Sequence, residues 1–463
     1  MCHPSRRSVL TLGLLVSLLV MRPSAQVPAG GQAAWVDPYR DTSARLLGEA
    51  LSSRHAWERL AEVGDTFGHR LTGSRALEEA IDWAVAEMKK DGLENVRKEP
   101  VTVPHWVRGE ERLEIVAPRR HALVMLGMGN SVGTPAEGIE AELLIVDSFD
   151  ALAAAGPRAR GKIVLFNVPF TTYGETVQFR SAGPSRAAAA GAVASLVRSV
   201  GPPGLRTPHT GALRYAEGVT QIPAAAVTTE DADRLQRMVD RGNTLRLRLQ
   251  MGAKSLPDTE SFNVIGEIRG RERPDEVVVV SGHVDSWDVG TGSTDDGGGC
   301  IVTWEALRLM KKLNIRPRRT VRVVLWTNEE NGLRGGTAYR DRYRDHLANH
   351  VLMMESDSGV FRPTGFGFTG TDTARAQVRD IATLLRGIQA DRIGPTGGGA
   401  DIGPSVEAGG VPSMSLEVDG NYFLLHHTPA DTIDKIDPMD MARASGAIAV
   451  MAYVIADMPG RLR

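Results

Sequence analysis

The chain has 463 residues, more than one hydrophobic core usually organises, so we expect two domains or one domain with a large insertion. Hydrophobic residues make up 42% and charged residues 24%, which argues against a wholly disordered chain, and 54 basic residues balance 56 acidic ones, which argues against a nucleic-acid partner. Cys2 and Cys300 are the only cysteines, and Cys2 lies in a segment expected to be removed, so a disulfide framework is excluded in the mature monomer.

The first 26 residues have the pattern of an export signal. Arg6 and Arg7 precede an apolar run from Val9 to Val20, and small residues follow. The run is too short for a comfortable membrane span, so we expect no stable span in the mature chain. Removal of residues 1–26 predicts a periplasmic or extracellular protein. A twin-arginine route, the general secretory route and an uncleaved anchor all remain open.

Apolar residues at helical spacing come next. They run from Ser43 to Val63 and from Leu77 to Met88, with Gly92 as a plausible stop. Each segment is interpreted as an amphipathic surface helix.

The residue pattern changes between about Glu111 and Arg248. Short β-like runs alternate there with Gly-, Pro- and Ala-rich pieces. We interpret residues 111–254 as a smaller, β-rich inserted domain that separates two segments of a main domain, 36–110 and 255–460. The β-like runs are Glu142–Val146, Lys162–Asn167 and Thr244–Leu249.

From Phe262 onward the pattern is regular αβ. Short apolar strands alternate with helical stretches, one of which carries the stripe Val302, Ala306, Leu309 and Leu313. This predicts an α/β fold with a mostly parallel mixed sheet sandwiched by helices, and chemistry at the strand ends. The predicted strands are Val277–Val280, Val321–Trp326, Val351–Met354 and Met414–Val418.

Metal-ligand side chains follow the first of these strands. His283 is followed within the same loop by four carboxylates: Asp285, Asp288, Asp295 and Asp296. So many carboxylates repel one another unless cations lie among them. A solvated acidic loop remains an alternative for this segment taken alone. A helix-loop-helix calcium site is disfavoured because its alternating acidic residues and late bidentate Glu are missing.

Similar side chains follow the other strands. The second strand ends at Glu329 and Glu330, the third leads to Asp357, and the fourth leads to the pair His426 and His427. Because the chain turns at a strand end, one of two adjacent glutamates is able to hold a metal while its neighbour faces a water.

This inventory matches the needs of two-metal hydrolysis. Two close divalent ions need a shared carboxylate, further N or O ligands on each ion, and a base that moves the proton of the attacking water to the leaving amine. We expect Asp285, two residues after His283, to orient that imidazole. The predicted roles are Asp295 as the shared ligand, His283 and Asp357 on one ion, Glu330 and His427 on the other, and Glu329 as the base.

A family resemblance rests on four runs in this order: SGHVDSWDVGTGSTDDGGG, NEENG, ESDSG and HHTPADT. They closely resemble the co-catalytic zinc exopeptidases, and within them the plasma glutamate carboxypeptidase (carboxypeptidase Q) group. The likeness begins near Arg70 and extends to the C-terminal helix. It implies the zinc-exopeptidase fold, two Zn²⁺ per chain and the same ligand and base positions.

Three further expectations depend on this resemblance. The choice of His427 over His426 follows the family pattern, in which the ligand directly precedes Thr428-Pro429. The insertion is similar to a protease-associated domain in Gly161–Leu165, Ala187–Ala194 and Ile222–Val227. Related enzymes also suggest a homodimer.

Two other residues near the pair were assigned roles from the sequence itself. Tyr422 is a candidate hydrogen-bond donor to the tetrahedral intermediate, and His426 is a candidate substrate contact or support for the metal ligands.

The leading hypothesis is an exported, two-zinc exopeptidase acting on dipeptides or short peptides. The pattern leaves open whether it recognises the amino or the carboxyl end of the substrate. Three alternatives remain. Two use the same scaffold: a non-catalytic interaction protein, which predicts gaps among the ligands, and a single-zinc acyl transferase similar to a glutaminyl cyclase. The third is a deacetylase or other amidase, with the same chemistry and a different pocket.

Overall fold

The computed structural model describes residues 34–462. The predicted export signal, residues 1–26, lies outside the described residues.

The chain begins with three helices and one long strand. The predicted single helix over Ser43–Val63 is wrong, because the segment forms two helices separated at Ser52-Ser53-Arg54. The hydroxyl of Ser53 accepts the backbone N–H of His55, a side-chain bond that competes with a continuous helix. These elements are α1 (Arg40–Leu51), α2 (His55–Phe67), α3 (Arg75–Lys90) and β1 (Glu94–Val107).

The next elements form a sheet of their own, which has eight strands in the order β3-β2-β9-β5-β6-β7-β8-β4. Its centre, β5 to β8, is parallel. The elements are β2 (Glu111–Ala117), β3 (His121–Leu123), β4 (Met125–Gly127), β5 (Ile139–Val146), α4 (Phe149–Ala155), β6 (Ile163–Phe166), α5 (Tyr173–Ser181), α6 (Gly183–Ala189), β7 (Ala194–Arg198), β8 (Ala224–Val227), α7 (Thr229–Asp240) and β9 (Arg246–Met251).

The remainder of the chain returns to the sheet that β1 begins. The elements are β10 (Lys254–Ile268), β11 (Arg273–His283), α8 (Gly298–Lys312), β12 (Arg319–Trp326), α9 (Arg334–Arg342), β13 (His350–Glu355), β14 (Arg362–Thr369), α10 (Asp372–Ala382), β15 (Arg392–Gly394), α11 (Gly403–Gly409), β16 (Ser413–Asp419), α12 (Tyr422–Leu425) and α13 (Pro438–Asp457).

This second sheet also has eight strands, in the order β1-β10-β12-β11-β13-β16-β14-β15. Strands β12, β11, β13 and β16 run parallel to one another, whereas β1 pairs antiparallel with β10, β10 with β12, and β14 with β16. The predicted fold class, a mostly parallel mixed sheet between helices, is confirmed.

Helices cover both faces of this sheet. Along β11, Val278 and Val280 join the large core formed with α8 and α13, whereas Val277 and Val279 join a smaller core on the other face with Tyr339 of α9. Apolar residues at every position of a strand are therefore buried, which explains why the strand reads as a continuous run.

The chain changes sheets between β1 and β2 and again between β9 and β10. We call residues 111–251 the inserted unit and the rest the main unit. The predicted boundaries were 110/111 and 254/255, and the antiparallel pairing of β1 with β10 brings the two crossings side by side. The inserted unit carries α4 to α7 besides its strands, so it is more helical than the sequence pattern indicated. Its identity as a protease-associated domain stays a prediction.

Within residues 34–462, one helix is long and apolar enough to cross a membrane by length and composition. It is α13, and 78% of its most apolar window is buried inside the protein. Its neighbours there are α1 and α8, so it packs as a core helix.

Candidate metal centre

Three parallel strands bring their carboxyl ends to one edge of the main sheet. In the pairing register His283 lies beside Trp326, and Ser281 lies beside Glu355. The residues that immediately follow β12 and β13 therefore emerge next to His283. Those residues include Glu329, Glu330 and Asp357, as the strand-end argument predicts.

Asp295 lies at the centre of the cluster and is almost fully buried. One of its oxygens, Oδ1, is 3.3 Å from Nε2 of His283, and the other, Oδ2, is 3.3 Å from Nε2 of His427. His283 Nε2 is also 3.6 Å from an Asp357 oxygen, and His427 Nε2 is 3.0 Å from a Glu330 oxygen. All five predicted ligands thus lie together, with one carboxylate between two histidines.

The donor atoms fit divalent cations. Ligand-type atoms of His283, Asp295 and Glu330 lie within 4.8 Å of one another, as do those of Asp295, His426 and His427. Buried polar atoms normally find hydrogen-bond partners, yet several here have none among residues 34–462. These atoms are His283 Nε2, Asp295 Oδ2, Glu330 Oε1 and Asp357 Oδ1. Mixed imidazole and carboxylate donors suit zinc.

The electrostatics of the cluster lead to the same conclusion. Burial raises the pKa of Glu330 well above its ordinary value, with the Asp295 carboxylate adding to the effect. Burial likewise raises the pKa of Asp357. A set of buried carboxylates that disfavour one another's charge is stabilised when cations neutralise them.

Glu329 lies beside this cluster and lines the adjoining cleft. Burial raises the pKa of its carboxyl to about 8, and the carboxylates of Asp357 and Asp295 contribute. Its backbone N–H donates to Asp285 Oδ1 at 3.1 Å, which fixes the strand-end turn that carries it.

Asp285 supports the cluster differently from the expectation. The backbone carbonyl of Asp285, 3.0 Å from His283 Nδ1, orients the imidazole, while its carboxylate is 3.9 Å away. That carboxylate instead accepts the hydroxyl of Thr72 and the backbone N–H groups of Glu329 and Glu330. It therefore positions the predicted base and a predicted ligand rather than the imidazole.

The two adjacent histidines have different surroundings. Nδ1 of His427 lies 3.3 Å from the backbone carbonyl of Thr210, which leaves Nε2 free to face Glu330 and Asp295. Metal-binding histidines usually donate their other ring N–H in this way. The ring of His426 stacks on that of His427 at 3.5 Å, and its Nε2 is 3.7 Å from Asp295. The geometry favours His427 as the ligand.

Tyr422 packs against the same cluster, with its ring 5.0 Å from that of His426. Its hydroxyl interacts with the carboxylates of Asp295 and Asp357. Burial raises the pKa of Tyr422 well above its ordinary value, so the hydroxyl stays protonated and remains a donor.

Three supporting residues were not assigned from the sequence. Asp431, in the HHTPADT run, accepts the backbone N–H groups of Thr294 and Asp295 at 2.6 and 3.0 Å. Asp296 accepts the N–H of His283 at 3.0 Å. Arg70 is fully buried, and its guanidinium donates to backbone carbonyls, among them those of Val284 and Gly292. Acidic residues inside the quoted runs were a visible signal, but their backbone partners were not.

A cleft of about 1920 Å³ lies over the cluster, between the main and inserted units. The main unit contributes Asp295, Glu329 and Asn421, and the inserted unit contributes Tyr173 and Arg214. The candidate metal centre is therefore at the floor of a space that both units enclose.

Comparisons with known proteins agree with this geometry. Residues 263–452 match peptidase family M28. The chain is 47% identical to carboxypeptidase Q of Mus musculus, covering 91% of this chain and 90% of that protein. It is also 47% identical to carboxypeptidase Q of Homo sapiens, covering 88% of this chain and 86% of that protein.

Solved structures are similar as well. A peptidase M28 precursor from Shewanella amazonensis superposes with a TM-score of 0.89 at 36% identity, covering 92% of this chain and 98% of that one. A zinc aminopeptidase from Bacillus subtilis superposes with a TM-score of 0.66 at 20% identity, covering 88% of this chain and 96% of that one, and shows the shared fold.

Proposed function

The chain belongs to peptidase family M28 and is a zinc metallo-exopeptidase, and from this premise we propose that it hydrolyses dipeptides or short peptides with Glu329 as general base and acid. The observation that carries the proposal is the position of Asp295. Its two carboxylate oxygens face His283 on one side and His427 on the other. A carboxylate so placed suits a ligand shared by two ions.

These distances support the predicted ligand set. His283 and Asp357 would hold one Zn²⁺, Glu330 and His427 the other, and Asp295 both. When bound, two zinc ions polarise the scissile carbonyl and lower the pKa of the attacking water.

The protein's own groups move the proton. Glu329 takes a proton from the water as its oxygen bonds to the scissile carbon, and returns it to the leaving amine as the C–N bond breaks. The Asp285 carboxylate holds the turn that carries Glu329 through its backbone N–H. Tyr422, whose hydroxyl stays protonated because burial raises its pKa, would donate to the developing oxyanion.

The cleft supports a short substrate. Both units line the cleft over the candidate centre, and the inserted unit contributes Tyr173 and Pro202 to its wall. Such a space suits dipeptides and short peptides better than folded proteins.

Replacement of the base tests the mechanism. Glu329→Gln should retain zinc while kcat falls by about 10²- to 10⁴-fold, because the amide accepts no proton. Zinc content by elemental analysis and steady-state kinetics are the measurements. Glu217→Gln, the same change at an exposed residue on the cleft rim, is the matched control and should keep normal turnover. Normal turnover in Glu329→Gln with full zinc would remove Glu329 from the mechanism.

A panel of blocked dipeptides tests which end of the substrate is recognised. Loss of cleavage on C-amidation but not on N-acetylation supports a carboxypeptidase, and the reverse supports an aminopeptidase. If neither the N-acetylated nor the C-amidated dipeptide is cleaved, the result supports a dipeptidase. Cleavage within long, doubly blocked peptides would contradict exopeptidase action.

Export and self-association belong to the same proposal. The basic and apolar start of the chain supports export to the periplasm or the extracellular space. N-terminal sequencing of the mature protein should begin near residue 27. The resemblance to the carboxypeptidase Q group supports a homodimer, which light scattering coupled to size exclusion checks.

A further inference from the structure

The backbone of Thr210, in a loop of the inserted unit, contacts both the backbone and the ring of His427, a predicted metal ligand. The N–H of Thr210 donates to the carbonyl of His427 at 3.0 Å. In return, Nδ1 of His427 lies 3.3 Å from the carbonyl of Thr210. His427 adopts a left-handed conformation with φ of 62°, which persists only where the surroundings hold it. The inserted unit supplies part of that support.

Thr210 is itself held in place by Arg108, which directly follows β1. The Thr210 hydroxyl donates to the carbonyl of Gly127 at 2.7 Å and accepts from Arg108 Nη2 at 3.3 Å. Arg108 also grips the carboxylate of Asp288 through two hydrogen bonds, of 2.8 and 2.5 Å. Asp288 lies in the loop that follows His283. We call Thr210, Arg108, Asp288 and His427 the Thr210 clasp.

Further contacts between the two units lie around His427. The ring of Trp287 lies 5.7 Å from that of His427, edge to face. Its other side meets Gly129 of the inserted unit so closely that a β-carbon there would lie 1.8 Å from the indole. Nη1 of Arg180, also from the inserted unit, donates to the Thr210 carbonyl at 3.4 Å and lies 3.4 Å from Nδ1 of His427. These groups are buried or nearly so, and the contact excludes solvent from the back of His427.

We propose that the inserted unit is a functional part of the metal centre, in which Thr210 positions His427 for the ion that it shares with Glu330. This inference rests on the proposed ligand role of His427. A carbonyl that accepts the second ring N–H fixes the tautomer and direction of a metal-binding imidazole, and removal of such a partner typically weakens metal binding by 10- to 100-fold.

A reciprocal effect follows from thermodynamic linkage. If docking of the Thr210 loop strengthens binding at the His427 position, then the ion strengthens docking of the loop by the same factor. The ion held by His283 and Asp357 has no such contact, because His283 Nδ1 is held by the carbonyl of Asp285 within the main unit. The two ions should therefore respond differently to changes at the clasp.

A matched pair of variants tests the first effect. Thr210→Val keeps the side-chain shape but removes the hydroxyl that ties the loop to Gly127 and Arg108, whereas Thr210→Ser keeps a hydroxyl. Competition with a chromophoric chelator measures zinc affinity without reference to activity. In Thr210→Val the ion assigned to His427 and Glu330 should bind about 10-fold less tightly and the other should be unchanged, while Thr210→Ser should resemble the wild type.

Hydrogen exchange of the wild-type protein tests the reciprocal effect and needs no variant. Addition of zinc to the metal-free protein should slow exchange of the Thr210 amide by the same factor as the affinity change, about 10-fold. Amides in the last turn of α7, which belongs to the inserted unit but not to the clasp, are the internal control and should not respond. Equal zinc affinity in Thr210→Val and unchanged exchange at Thr210 would together overturn the inference.

A third variant separates this inference from the proposed function. If His427→Ala binds as much zinc as the wild type, the proposed ligand set fails and the clasp loses its basis. If His427→Ala loses one ion while Thr210→Val and the exchange of Thr210 show no effect, the ligand set stands and the clasp alone fails.

Discussion

The two sheets of this protein share an architecture but differ at their strand ends. In the main sheet, the parallel strands β11, β12 and β13 lead to His283, Glu329 and Asp357. In the inserted unit, β5 and β8 are also apolar parallel strands, yet they lead to Ser148 and Thr228.

The polar side chains of the inserted sheet are used locally. Ser148 accepts the N–H of Ala151 and so caps α4, and Thr228 accepts the N–H of Asp231 and caps α7. In the main sheet, buried atoms of His283 and Glu330 have no hydrogen-bond partner among residues 34–462. A parallel sheet thus becomes a candidate metal site where converging polar atoms remain unsatisfied by the chain itself, and fold alone does not decide this.

The largest expected effect comes from removing the shared carboxylate. Asp295→Ala should lose zinc and reduce kcat/KM by more than about 10⁴-fold, because both ions lose a ligand. Asp233→Ala removes a carboxylate that pairs with Arg198 in the inserted unit and should leave zinc content and turnover unchanged. Elemental analysis and kinetics of both variants check the contrast. Zinc-loaded, active Asp295→Ala protein would contradict it.

At the opposite end of the main sheet, His350 should make the free energy of unfolding depend on pH. At the start of β13, Nδ1 of His350 donates to the carbonyl of His346 and its Nε2 accepts from Tyr339, so the imidazole is satisfied when neutral. Burial, with the nearby Arg322 guanidinium, lowers the pKa of His350 to about 4. Because the unfolded chain binds this proton near pH 6.5, the group's contribution to stability is lost as pH falls from about 6.5 to about 4, by up to about 3 kcal/mol.

Denaturant unfolding of His350→Gln checks this expectation. The free energy of unfolding of the variant should depend less on pH over that range than that of the wild type. His346→Gln, which keeps the accepting carbonyl and changes only an exposed side chain, should retain the wild-type pH dependence. Identical pH profiles for wild type and His350→Gln would show that His350 does not control the pH dependence of the free energy of unfolding.

A carboxylate that supports the centre without facing the metals should have an intermediate effect. Asp285→Asn has one acceptor oxygen for the Thr72 hydroxyl and two backbone N–H groups, so the turn carrying Glu329 and Glu330 loosens. We expect a 10- to 100-fold loss of zinc affinity or kcat, which is typical of groups that support metal ligands. Zinc competition and kinetics are the readouts, with unchanged circular dichroism as the folding check. Wild-type values would assign Asp285 no role in the centre.

The smallest effect is expected at a strand end of the inserted sheet. Ser148→Ala removes the cap of α4 and should lower the free energy of unfolding by about 1 kcal/mol, while Ser148→Asp keeps an acceptor and most of the stability. Neither variant should change zinc content or turnover. If fully folded Ser148→Ala protein lost activity, polar residues at the strand ends of the inserted sheet would not be limited to capping helices.

The strands of the main sheet and the side chains at their ends followed from local patterns. Largely apolar runs predicted β11, β12, β13 and β16, and acidic residues and histidines after them predicted the cluster around Asp295. The break between α1 and α2 was missed because its cause, a hydrogen bond from the His55 amide to Ser53, leaves the apolar spacing intact. Asp285 orients the imidazole as predicted, but through its backbone carbonyl, while its carboxylate has partners that the sequence did not indicate.

Sequence alone therefore determined which residues lie at strand ends, since that depends on the order and spacing of neighbours along the chain. Tertiary structure decided how those ends converge and what supports them. Thr210 and His427 are separated by 217 residues, and their contact depends on how the main and inserted units pack against each other. No periodicity encodes such a contact, because it depends on the shapes of both surfaces at once.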